Sequence, residues 1–181
     1  MNGVRSLAGP LVALALVVAG CGRGIPAGGL GPADPAAATP LASVTTAIET
    51  SASALGAALA AGGYELDPAT GPFRSSEPAR FIGLPRAVYR VRLADPDDGA
   101  VVIYQLPDAN AAGSAAADLA GYLASGSAKV NYPADALFSV AQLGPTVILT
   151  WFSPGRSDDP DAARGAFLLI ATVGRAYQVF Q

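Results

Sequence analysis

Two stretches of this chain, AVVIYQL at 100–106 and TVILTWF at 146–152, are apolar on both sides of any strand they form. Side chains alternate across a strand. Val101, Ile103 and Gln105 therefore take one face, and Val102, Tyr104 and Leu106 the other. In the second stretch Val147, Leu149 and Trp151 oppose Ile148, Thr150 and Phe152, which makes Trp151 a core position. A sheet with one wet face alternates apolar with polar residues. These strands do not, so both faces of the sheet they build must be covered. At ~25 cal/mol per Å², a few hundred Å² left bare forgoes several kcal/mol and invites association.

The flanking sequence supplies the rest of a sheet. Ala87 to Leu93 alternates Tyr89, Val91 and Leu93 with Val88, Arg90 and Arg92, and with 100–106 it predicts an antiparallel hairpin across DPDDG. Leu137 to Leu143 and Thr146 to Phe152, joined by Gly144-Pro145, predict a second hairpin. Asp108 caps a predicted helix over 109–124, striped by Ala112, Ala115, Leu119, Tyr122 and Leu123; Asp159-Pro160 opens another over 160–174. The order strand, strand, helix occurs twice, with VVIYQL and VILTWF in matching places, a weak internal repeat. Upstream, Thr39-Pro40 opens a long helix over 41–61, in which Leu41, Val44, Ile48, Ala52, Leu55 and Leu59 recur at intervals of three and four before Gly62-Gly63.

The expected fold class is therefore α+β: a mainly antiparallel four-stranded sheet from two strand-strand-helix units, plus a long N-terminal helix. Helices 109–124 and 160–174 are expected on one face. Helix 41–61 either lies across the other face, which moves interaction to the segment 64–85, or packs beside the other two and leaves a bare docking face around Trp151. Segment 64–85 has four prolines and no period. It either hides a short strand near Phe81-Ile82 or is a functional loop.

The N-terminal end carries an address. The apolar run from Leu7 to Ala19, broken only by Gly9-Pro10, would reach about 20 Å as a helix, short of the ~30 Å hydrocarbon core. A positive start, a short apolar stretch and then small residues is the layout of a secretory signal peptide. Val18-Ala19-Gly20-Cys21 resembles the lipobox of bacterial lipoproteins, and Cys21 is the only cysteine of the chain. That resemblance implies a diacylglycerol thioether on Cys21 and cleavage just before it. The expected organisation is a signal peptide over 1–20, the lipidated Cys21 with a Gly/Pro/Ala tether to residue 39, and one α+β domain over 40–181. As random coil, residues 22–39 span roughly 23 Å on average. The chain is thus expected on the extracytoplasmic side of the cell membrane, or on an outer membrane where the cell has one.

Composition removes several chemistries. The formal charge is −3, and loss of Arg5 with the signal peptide makes it more acidic, which argues against nucleic acid. No histidine is present. Ser-His and Cys-His activation, HExxH zinc sites and the usual neutral-pH proton shuttle are therefore excluded. Ser125 and Ser127 miss the SxxK spacing to Lys129, the only lysine. No metal site and no cofactor are expected. Asp95, Asp97 and Asp98 before Gly99 read as turn residues, since they lack the alternate spacing and closing glutamate of a calcium loop. Asp158, Asp159 and Asp161 read as a helix start.

Two candidate contacts remain. Arg86, Arg90 and Arg92 share one face of a strand and suit an anionic ligand, although charges protecting an edge strand are the favoured account of them. Tyr64, Phe73 and Phe81 read as a loop folding onto the core. The resulting expectation is a non-enzymatic, lipid-anchored binding or accessory domain of the bacterial envelope, held to the membrane through Cys21 and engaging a protein partner or small ligand. The alternative is a histidine-free envelope hydrolase that works with carboxylates.

Overall fold

A computed structural model describes residues 44–69, 78–91 and 99–180, all within the unit Asp34–Gln181. The first helix, α1 (Thr46–Ala60), starts where the Thr45 hydroxyl accepts from the Ile48 N–H, six residues later than Thr39. Its stripe of Ile48, Ser51, Leu55 and Leu59 is buried. Gly63 at φ 78° ends it, with Gly63 N–H donating to Ala60 C=O and Tyr64 N–H to Leu59 C=O. These paired bonds turn the chain back on itself. It then enters a short strand, β1 (Leu66–Pro68).

A single 3₁₀ turn at Ala79–Phe81 precedes β2 (Arg86–Val91) and β3 (Gly99–Gln105). Then come α2 (Ala109–Ala124), the short α3 (Gly126–Lys129), and the hairpin β4 (Leu137–Leu143) and β5 (Thr146–Phe152). The chain closes with α4 (Pro160–Ile170) and β6 (Arg175–Tyr177). Asp108 and Asp159 cap α2 and α4, accepting from Ala111 N–H at 2.8 Å and Ala162 N–H at 3.0 Å. Helix α4 stops at Ile170, short of residue 174.

The sheet corrects the expected fold in two ways. It has six strands, in the order β1-β2-β3-β5-β4-β6 and antiparallel throughout, rather than four. The additional strands are three residues each, too short to show a period. The short strand of segment 64–85 lies at Leu66–Pro68, and Phe81 sits in the 3₁₀ turn instead.

The second correction concerns the helices. They do not share a face as the two-unit arrangement required. Val102, Tyr104, Val147 and Leu149 pack with Ala112, Ala115, Ala116, Leu119 and Leu123 of α2. Val101, Ile103 and Ile148 pack on the other side with Ile48, Leu55 and Leu59 of α1 and with Ala166 and Ile170 of α4. The strand order explains this. Each of the connections β3-α2-β4 and β5-α4-β6 joins strands two places apart, stepping the same way along the sheet, yet β3 and β5 run antiparallel. Such crossovers are right-handed. Two right-handed crossovers that step the same way from opposed strands must use opposite faces. The repeat is therefore one of strand order, not of layers.

Helix α1 lies on the face that α2 leaves open, so the doubly apolar central strands are covered on both sides. Each fully buried Ile or Leu of its stripe contributes about 1.5–3 kcal/mol. Ser51 in that stripe is buried and lies 2.7 Å from the Thr146 hydroxyl. Thr146 donates its own proton to Leu143 C=O at 2.8 Å, so Ser51 is the donor of the pair.

Candidate functional site: a groove beside the first helix

The turn at Gly62-Gly63 places β1 alongside the helix it leaves, and a groove of about 450 Å³ opens between them. Its helical wall is Ala52, Ser53, Gly56 and Ala60; Tyr64, Leu66 and Tyr89 form the floor, with Glu65 and Asp67 also lining it. Small residues on the flank of α1 make the space, since a Cβ built on Gly56 meets nothing within 4 Å. Tyr64 is held from behind by α4: a Cβ at Gly165 would stand 2.8 Å from its hydroxyl. Burial, and after it the Glu49 carboxylate, push the Tyr89 phenol above its ordinary pKa. Tyr89 therefore stays a neutral hydroxyl at any physiological pH. Segment 64–85 thus contributes a groove wall at one end. At the other end Phe81 packs edge-on to Tyr104 at 4.8 Å, on the opposite face of the sheet. Tyr64 and Phe81 do not form one stripe, and Phe73 lies outside the described residues.

The arginine face divides. Strand β2 pairs with β3 over Arg86–Tyr89 and with β1 over Tyr89–Val91, so Arg90 does not stand on an open edge. Arg86 is buried at 6% exposure. Arg90 is half-buried, donates to the Gly99 carbonyl, and stands across from Asp67 in the β1–β2 register. Arg92, Asp95, Asp97, Asp98 and Cys21 lie outside the described residues.

A second polar cluster serves structure. Asp135 accepts from the Ser153 hydroxyl at 2.6 Å and from the Gly155 N–H at 2.5 Å. The Ser153 bond, then the Gly155 bond, hold its carboxyl below the usual aspartate range. Ser153 is fully buried, which keeps its hydroxyl from any substrate. Sequence reasoning passed over both residues, because 18 positions separate them. Trp151 is half-buried against the α2-side core, with Tyr132 packed edge-on to it at 5.5 Å and to Phe138 at 4.8 Å.

Among the described residues no aspartate or glutamate is buried, and no three His, Cys, Asp or Glu converge as a metal site would require. Among the same residues no helix is long and apolar enough to cross a membrane. No protein-family model, curated protein or solved structure matches this chain.

Proposed function

We propose that this chain is a lipid-anchored binding module of the bacterial envelope, tethered on the extracytoplasmic side through Cys21. The observation that carries the reading is Val18-Ala19-Gly20-Cys21 behind a short apolar run. A thiol can take a diacylglycerol as a thioether, and the two acyl chains then anchor stably where one would not. The Gly/Pro/Ala tether gives the domain reach from the headgroups. The groove between α1 and β1 supplies a recessed surface of the kind a binding module uses, with an aromatic floor of Tyr64 and Tyr89.

The test is metabolic. Cells expressing the full chain and given labelled palmitate should label the parent, and Cys21→Ala should accumulate as an unlabelled precursor of higher mass. Equal labelling of parent and variant, or no labelling of either, would refute the anchor.

A further inference from the structure

We propose that the groove beside α1 binds a small primary alkylamine, with its ammonium at Glu49 and its alkyl chain along the wall towards Gly56. This rests on the reading of the chain as a binding module and names the chemistry of its ligand.

The helix supplies the first argument. Glu49 precedes Ala52 and Ser53 by three and four residues and Gly56 by seven, so it crowns the groove wall. Its side chain is exposed and makes no hydrogen bond or ion pair among the described residues. The neutral Tyr89 phenol, near enough to feel that charge, also has no hydrogen-bond partner among them. A carboxylate and a phenol oxygen thus stand at one end of the groove with acceptor capacity to spare. Glu65 and Asp67 take no part: both have partners of their own, and Asp67 turns with Arg90 to the other face of the sheet.

The charge balance selects the ligand. No Lys or Arg lines the groove, so an anion would meet Glu49 with nothing to offset the repulsion. A bare metal ion needs several oxygen ligands, and among the described residues no three acids converge. An ammonium needs only what stands here. It donates one N–H to the Glu49 carboxylate and one to the Tyr89 oxygen, and keeps the third for water. The Tyr89 ring adds a cation–π attraction. Behind the charged head, Ala52 and Gly56 leave open space over Leu66, an apolar bed for the stem. Glu49 to Gly56 is about 10 Å of helix, which suits a chain of a few methylenes.

The experiment follows the backbone amides of the isotope-labelled full chain in detergent micelles by NMR, with n-butylammonium chloride as the probe. The Gly56 and Leu66 amides should shift saturably, with half-saturation in the millimolar range. Butyrate, butanol and ammonium chloride at the same concentrations should leave them in place, because each lacks the charge or the stem. Glu49→Gln, a change at an exposed position, should raise the half-saturation by about fivefold or more. Gly56→Leu fills the groove from a position with free space and should abolish the shift at Leu66, its remaining amides reporting that the fold is kept. Absence of a saturable shift at any soluble concentration of the probe would overturn the proposal. So would an equal response to butanol, butyrate or ammonium chloride, or a Glu49→Gln variant that binds like the parent. Lipidation is scored by label and amine binding by amide shifts, so each reading can fail without the other.

Discussion

At the scale of single residues, Asp135 ties the loop between α3 and β4 to the chain leaving β5. Its two oxygens take one donor each, and Gly155 is what allows the approach, since a Cβ there would stand 2.8 Å from the carboxylate. A carboxyl whose folded pKa is lowered adds stability that is present above its ordinary pKa and is lost as pH falls through the folded value. Asp135→Asn keeps an acceptor for Ser153 but turns an amide towards the Gly155 N–H. The parent should therefore be the more stable protein at pH 7, by urea midpoint, and the gap should narrow steadily below about pH 4. A gap that stays constant from neutral to acid would show that the charge of Asp135 contributes nothing. The sequence holds no hint of this pair, because nothing in local pattern connects an aspartate to a serine in the next hairpin arm.

At the scale of elements, legibility followed length and periodicity. Helix α2 and strands β4 and β5 lie where the sequence places them, because each carries a full stripe or alternation and a cap or turn residue at its end. Strands β1 and β6 were out of reach: three residues contain no period, and only their pairing with β2 and β4 makes them strands. The groove shares that fate, since it depends on β1 returning beside α1. What joins α1 to the sheet is partly polar, and a hydropathy stripe alone reads Ser51 as a gap. The Ser51–Thr146 contact has an asymmetry that mutation can expose. Ser51→Ala removes a donor and leaves Thr146 still bonded to Leu143 C=O, which should cost about 0.5–1.5 kcal/mol. Thr146→Val removes the acceptor as well as the bond to Leu143, and leaves a buried serine hydroxyl without that partner. That variant should lose about 1–3 kcal/mol, and the double variant less than the sum of the two. Urea denaturation of the four proteins decides it. Equal losses for the two single variants would mean that the serine finds another acceptor.

At the scale of the whole domain, the strand order predicts where stability is concentrated. Strands β3 and β5 lie at the centre of six, paired along their lengths with each other and on their outer sides with β2 and β4. Helix α2 covers them from one side, α1 and α4 from the other. The composition of 100–106 and 146–152 demanded that cover. It could not say which helix supplied which face, because that depends on β3 and β5 being neighbours. To open either strand, the domain must give up both layers at once. Their amides should therefore exchange only through global unfolding, which costs about 5–15 kcal/mol in a domain of ordinary stability. Strand β1 has three residues and pairs with β2 alone among the described strands, so its local opening should cost far less. Hydrogen exchange on the partner-free chain should rank Val102, Ile103, Ile148 and Leu149 among the slowest amides. Asp67 should exchange orders of magnitude faster, and Leu66, whose N–H points away from β2, faster still. Protection at Leu66 equal to that at Ile148 would mean that the β1 edge is already covered within the free protein. Slow exchange confined to one helical layer would contradict the two-sided cover. The ordering expected here, central strands first and Leu66 last, requires both faces to be sealed and one edge to be open.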